Sequence, residues 1–283
     1  MASIKALQKE AYAKINLFLD IDSKRDDGYH NIISVMQSIS LCDTITVEYT
    51  ESEQKLICVS CNNPEIPSGE KNIAYKAADL FLESGLVNIH IEKRIPAAAG
   101  LAGGSTDAAA VLSLLNELTG SQKNTDELLA IAAKIGADVP FCIAGGTKLA
   151  LGVGEKLSNF RPMPSCHIVV ACMGDGVSTP KAYSMLDNMF GDFTNYKPQN
   201  RLSSLLDSGS YDGMFNIFES VVIPCRPAVQ KIKDTLKEYG ADFSMMSGSG
   251  PSVFGIFSSK EKASVARDAL VDIGAVAHLC EPL

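Results

Sequence analysis

The sequence predicts an α+β protein of two domains, and three observations carry that prediction. Phe160-Arg161-Pro162-Met163-Pro164-Ser165 holds two prolines within three residues and reads as a linker, dividing the chain into residues 1–160 and 161–283. Before it, strand-like runs surround a small-residue loop, Ala97 to Asp107, set between a strand pattern and a helix pattern. After it, the order collapses to β-α-(α)-β-β-α-β, the split order of a ferredoxin-like domain.

The elements follow in chain order. Residues 11–21 alternate as a strand. Ala13, Ile15, Leu17, Leu19 and Ile21 share one face; Lys14 and Asn16 share the other, about 7 Å apart. Alone, that second face reads as an ordinary solvated one. Asp27-Gly28 signals a turn that presents Tyr29 and His30 side by side, either a binding turn or a chance exposed pair. Residues 44–49 and 56–59 read as a hairpin with a charged loop. Residues 72–84 form a helix with Ile73, Ala77, Leu80 and Phe81 inward and Gly85 at its end. Residues 87–92 are a half-buried strand. Val111, Leu112, Leu115 and Leu118 set a helix that stops at Gly120.

A capped helix with acidic residues in its first turn starts at Thr125 and ends at Gly136. Asp138 follows, beside Pro140 in an apolar setting. It either caps a turn or is a partly buried carboxylate held for proton transfer. Residues 147–151 and 167–171 are strands. Thr179-Pro180 opens a helix that runs past Tyr183 to Leu186, and residues 187–200 read as loop. Helices are expected near 202–206 and over 227–239, strands over 243–246 and 253–257, a helix over 260–271 and a last strand over 276–280. Ser247 to Ser252 is a second glycine-serine loop, either a plain hairpin connection or a second anion nest.

The central loop carries the chemistry. Small side chains let a ligand approach the backbone, and the first N–H groups of the following helix lack internal partners and carry partial positive charge. Such a loop suits an anion, most often phosphate. There is no G-x-x-x-x-G-K-[ST] and no G-x-G-x-x-G, so neither a P-loop nor a dinucleotide or protein-kinase glycine loop applies.

Composition sets bounds on function. The chain has 283 residues, 46% hydrophobic and 20% charged, which is ordinary for a soluble globular protein. Its formal net charge of −8 disfavours non-specific binding to nucleic acid or anionic membrane. No apolar run is long enough to span a membrane, and residues 1–5 lack the apolar core of a signal peptide, so a cytoplasmic location is expected. Of eight cysteines, only Cys58 and Cys61 form a C-x-x-C, with no second pair at zinc-finger spacing. Buried reduced thiols are the expectation. Nothing in the sequence chooses between a monomer and a homodimer.

Pro96-Ala97-Ala98-Ala99-Gly100-Leu101-Ala102-Gly103-Gly104-Ser105-Thr106-Asp107 resembles the phosphate loop of the GHMP kinases, the galactokinase, homoserine, mevalonate and phosphomevalonate kinase superfamily. Met246 to Ser252 resembles its C-terminal glycine motif, and the resemblance covers nearly the whole chain. It implies an N-terminal half like domain 2 of ribosomal protein S5 and a ferredoxin-like C-terminal half. Residues 11–17, 24–30, 136–141 and 152–155 resemble the branch of the superfamily that acts on a cytidine diphosphate substrate. The tyrosine-histidine turn is the most specific of these. Alanine at 97–99 and 102, where many members carry glycine, argues against positive φ angles there.

The resemblance implies ATP as phosphoryl donor, with Mg²⁺, and transfer to the 2-hydroxyl of a methylerythritol moiety in the non-mevalonate isoprenoid pathway. Lys14 and Asp138 would be the catalytic pair. Pro96, Ala97, Ala98, Ala99, Gly100, Leu101, Ala102, Gly103, Gly104, Ser105 and Thr106 would wrap the ATP phosphates. Asn16, Tyr29 and His30 would meet the cytidine diphosphate substrate, with Tyr183 stacking on the cytosine. No glutamate is assignable as a Mg²⁺ ligand, and Ser105 or Thr106 is the candidate hydroxyl. The alternatives are another small-molecule kinase of the superfamily or a non-catalytic nucleotide sensor. The intact Lys14 and Asp138 positions weigh against the sensor.

Overall fold

The computed structural model describes residues 3–199, 202, 205 and 211–283. The chain forms two compact units. One comprises Met1–Ala13, Cys42–Ala97 and Ala102–Ala144; the other comprises Lys14–Leu41, Ala98–Leu101 and Gly145–Leu283. Two long strands, β1 (Lys5–Lys24) and β2 (His30–Thr50), contribute residues to both.

In the first unit, β3 (Lys55–Cys61) is followed by α1 (Ile73–Phe81) and β4 (Gly85–Glu92). β4 pairs in parallel with β3 and antiparallel with the 44–50 end of β2. The expected hairpin of 44–49 with 56–59 is therefore wrong, because β4 lies between the two. Alternation identifies a strand but not its partner, and β3 reaches β4 through the helical crossover that parallel pairing needs.

The Asn72 side chain caps α1 by accepting from Ala74 N at 2.9 Å. The buried face of α1 is Ala74, Ala77, Ala78 and Phe81, and Leu80 points out, 42% exposed. Gly85 starts β4 at φ 120° rather than ending the helix. α2 (Gly103–Thr119) stops on Gly120 at φ 69°, as its sequence predicts. α3 (Thr125–Ile135) opens on a capping box of Asn124 and Glu127, and α4 (Val139–Ala144) follows Asp138. Ala108–Ala110, Val111, Leu112 and Leu115 of α2 pack into one core with Val47, Val59, Phe81 and Ile89.

In the second unit, the 32–37 stretch of β2 pairs with β5 (Thr147–Gly152), and β5 with β6 (Lys156–Asn159). β7 (His167–Cys172) is followed by α5 (Thr179–Phe190). Residues 187–190 thus continue the helix, where the sequence predicts loop. The helix expected near 202–206 lies largely outside the described residues. β8 (Phe215–Asn216) pairs in parallel with β1 at Phe18–Leu19. α6 (Glu219–Val222), α7 (Pro227–Glu238), β9 (Phe243–Met246), β10 (Val253–Phe257), α8 (Lys260–Asp272) and β11 (Val276–Cys280) complete the chain.

The order β11-β7-β10-β9, antiparallel throughout, is the ferredoxin-like arrangement that the element order predicts. None of the eight cysteines is joined in a disulfide, but only Cys166 and Cys280 are buried; Cys58 and Cys225 are exposed. Among the described residues, no helix is long and apolar enough to cross a membrane.

Candidate active site

The first unit supplies a helix start built for an anion. Ala102 is the N-cap of α2 and makes no side-chain hydrogen bond to the first turn. Gly103 and Gly104 place no side chain over it. The leading N–H groups are therefore left open, which fits the donor set that phosphate oxygens need. A Cβ at Gly103 would stand 3.0 Å from Lys93 Nζ, so its absence admits that ammonium beside the first turn.

Lys93 is held by two carboxylates: its Nζ donates to Asp43 Oδ2 and, at 2.9 Å, to Asp107 Oδ2. Asp43 Oδ1 also accepts from Arg94 N at 2.6 Å and Ile95 N at 2.8 Å. Burial opposes the Lys93 charge, but Asp107 and Asp43 outweigh it and hold the ammonium above its ordinary pKa. Burial pushes the Asp107 carboxyl up to about 8, against the pull of Lys93. The sequence reading missed this cluster, because no spacing rule links residues 43, 93 and 107.

Pro96 and Ala97 precede the loop in this unit. Thr106 donates its hydroxyl to Tyr12 O at 2.8 Å, whereas the Ser105 hydroxyl makes no hydrogen bond among the described residues. Ser105 is thus the better placed hydroxyl for a metal shell. Asp138 is half-buried at the start of α4, and its carbonyl accepts from Cys142 N at 3.1 Å. No group of three or more His, Cys, Asp or Glu side chains with metal-site geometry occurs among the described residues.

The second unit brings several expected residues together. Lys14 and Asn16 are 4% and 1% exposed, so their strand face is buried rather than solvated. Lys14 Nζ donates to Asn16 Oδ1 at 2.7 Å, and Asn16 Nδ2 donates to Ser34 Oγ at 2.8 Å. Lys14 N donates to Leu101 O at 3.1 Å, which ties the β1 backbone to the small-residue loop.

Two alanines of the loop do adopt positive φ, Ala98 at 50° and Ala102 at 58°. The expectation from alanine's intrinsic preference is overturned. An αL alanine costs about 1–2 kcal/mol, a cost tertiary contacts can outweigh. Next to Ala98, Ala99 O accepts from Ser252 N at 3.2 Å and Gly100 O from Ser247 Oγ at 2.9 Å.

Tyr29 is 65% exposed, but its neighbour His30 is 5% exposed. The His30 ring stacks on Tyr183 with centroids 4.8 Å apart and meets Phe193 edge-on at 5.5 Å. His30 Nε2 donates to Asp187 Oδ1 at 2.7 Å, and Lys24 Nζ donates to Asp187 Oδ2 at 2.7 Å. Burial pushes the Asp187 pKa up, but the bonds from Lys24 and His30 outweigh it and hold the carboxyl below its ordinary value. An ionised Asp187 fixes the ring proton on Nε2 and leaves Nδ1 the acceptor in the neutral ring. Asp187 was missed because the helix was ended four residues too soon, at Leu186 rather than Phe190. Its place four residues after Tyr183, on one helix face, was the available signal.

A family model for the GHMP kinases N terminal domain matches residues 72–146, and one for the GHMP kinases C terminal matches residues 199–275. A 4-diphosphocytidyl-2-C-methyl-D-erythritol kinase of Caldicellulosiruptor saccharolyticus is 42% identical over 272 residues, covering 92% of this chain and 91% of that one. The chain belongs to the GHMP kinase family. This GHMP kinase is equally similar to a kinase of the same description from Acetivibrio thermocellus, at 43% identity over 94% of the chain and 95% of the relative. Among solved structures, a 4-(cytidine 5'-diphospho)-2C-methyl-D-erythritol kinase aligns with a TM-score of 0.81 at 32% identity, covering 97% of this chain and 99% of that one. A homoserine kinase from Cytophaga hutchinsonii aligns at 0.71 with 19% identity, a likeness of fold. Membership makes the chain a phosphotransferase.

Proposed function

We propose that this GHMP kinase phosphorylates the 2-hydroxyl of 4-diphosphocytidyl-2-C-methyl-D-erythritol in the cytoplasm, within the non-mevalonate route to isoprenoid precursors. The observation that carries the substrate is identity above 40% with kinases of that description across nine-tenths of the chain. Mevalonate and homoserine kinase structures share the fold at below 20% identity.

The proposed roles follow the chemistry of each residue. Residues 96–106 hold the ATP phosphates, through loop N–H groups and the uncapped start of α2. The γ-phosphoryl group comes from ATP, and Ser105 would offer a hydroxyl to a Mg²⁺ ion, which when bound would neutralise charge on that group. Asp138 takes the proton of the attacking 2-hydroxyl as its oxygen bonds to the γ-phosphorus and ADP departs. Lys14 favours the developing alkoxide by its charge. Asn16, Tyr29 and His30 meet the cytidine diphosphate part, and Tyr183 offers its ring to the flat base. Residues 1–160 carry the phosphate loop and the catalytic pair; residues 161–283 form the ferredoxin-like half.

The test is ADP release from Mg-ATP with a panel of diphosphocytidyl methylerythritol, mevalonate, phosphomevalonate, homoserine and galactose. Turnover with the first compound alone is expected. Turnover with another member instead would discard the cytidine pocket and keep the kinase.

A further inference from the structure

Of the five N–H groups in the 247–252 loop, the second candidate for anion binding, three are used by the chain itself. Ser247 N donates to Ser252 O at 2.9 Å, Gly250 N to Ser247 O at 3.0 Å, and Ser252 N to Ala99 O at 3.2 Å. Pro251 has no N–H. What the loop presents instead is a hydroxyl. Ser247 is fully buried; its Oγ donates to Gly100 O at 2.9 Å and accepts from Asn16 N at 3.3 Å. One side chain thus joins the phosphate loop to the strand that carries Lys14 and Asn16. The fit is close: a Cβ on Gly100 would stand 2.2 Å from Ser247 O, and one on Gly248 would stand 3.1 Å from Gly100 O.

Asn216 sets the position of that hydroxyl. It lies on β8, 3% exposed. Its Nδ2 donates to Met246 O at 2.7 Å and to Gly248 O at 2.9 Å, the carbonyls on either side of Ser247. Its Oδ1 accepts from Phe218 N at 3.0 Å, so the carboxamide cannot rotate without losing three bonds. The Ile217 N bond to Leu19 O, 2.9 Å, fixes β8 to β1. Glu219 Oε1 accepts from Met246 N at 2.8 Å and is held by Lys233 at 2.7 Å.

Resting on the kinase reading above, we infer that Asn216 is a positioning residue for phosphoryl transfer. By gripping both sides of Ser247 it fixes that hydroxyl, and through it the register between the phosphate loop and the Lys14 strand. A shift of one ångström in such a frame is enough to slow a transfer that depends on alignment.

The test compares wild type, Asn216→Ala, Ser247→Ala and the double variant of the full chain. Each is assayed for steady-state kinetics with Mg-ATP and diphosphocytidyl methylerythritol, and each is melted. The expected result is a fall in kcat of at least tenfold for Asn216→Ala, a raised KM for ATP and an unchanged KM for the alcohol. The double variant should be no more than twofold slower than Asn216→Ala, because both changes cut one path. A kcat within twofold of wild type, losses that multiply in the double variant, or equal rises in both KM values would overturn the inference. If Asn216→Ala gives no cooperative melt, Ser247→Ala alone decides: the same KM split supports the role, and unchanged kcat removes it. Wild-type silence on the alcohol counts against the substrate reading instead. The variants are then judged by Mg-ATP affinity in calorimetry, where fivefold weakening by Asn216→Ala supports the inference and unchanged affinity overturns it.

Discussion

His30 and Asp187 stand 157 residues apart in the chain and 2.7 Å apart in space, joined Nε2 to Oδ1. The carboxylate chooses the tautomer of a ring that is also stacked on Tyr183. Asp187→Asn keeps the shape and removes the charge, so the ring loses its fixed orientation. The expected outcome is a KM for the cytidine substrate raised about fivefold to tenfold, from one charge-assisted hydrogen bond at a part-exposed site, with the KM for ATP unchanged. Because the Asp187 pKa is depressed, its contribution is present above the ordinary carboxylate value of 3.8 and is lost as pH falls below it. A substrate KM unchanged by Asp187→Asn would contradict this assignment.

Asp138→Asn removes the proposed proton acceptor at nearly constant volume. Turnover should drop by about 10²–10⁴, the usual contribution of general base catalysis, while calorimetry finds ATP binding preserved. Near-full activity would take Asp138 out of the base role.

The Lys93 cluster makes stability depend on pH. Burial raises the Asp107 pKa from 3.8 to about 8, so between those values the folded state binds more protons than the unfolded state. Stability should therefore decline as pH rises through that window. Urea midpoints from pH 4 to pH 8 measure the slope, and Asp107→Asn should flatten it. Asp43→Ala is the harsher change, since it strands the buried Lys93 charge and two backbone N–H groups. It should cost about 3–5 kcal/mol, the penalty for breaking a buried pair, read from the same unfolding curves.

Gly100 has no room for a methyl group. A Cβ there would stand 2.2 Å from Ser247 O, and the residue holds φ +76°. Gly100→Ala should raise the KM for ATP and lower the melting temperature together. The αL penalty alone is about 1–2 kcal/mol. Gly120→Ala, at φ +69° with open space around it, is the control: it should lower stability without moving the KM.

The sequence by itself determined the parts of this protein that arise from local rules. The ferredoxin-like order of residues 167–280 was legible because each strand and helix has its own period. The start of α2 and its stop at Gly120 were legible because small residues and glycine have few other uses there. The small-residue loop at 97–107, Lys14, Asp138 and the Tyr29-His30 turn stood out as family motifs. Pairing and burial were not. Only the tertiary structure placed β4 between β2 and β3, buried His30 while exposing Tyr29, and forced Ala98 and Ala102 to positive φ. It also gave Asp187, Asn216 and Ser247 their partners, and enclosed Lys93 between two carboxylates. Each of these depends on which distant group arrives at hydrogen-bonding distance. Periodicity reports which face of an element is apolar; what meets that face is decided by other chain segments, 14 residues away for Lys93 and Asp107 and 157 for His30 and Asp187.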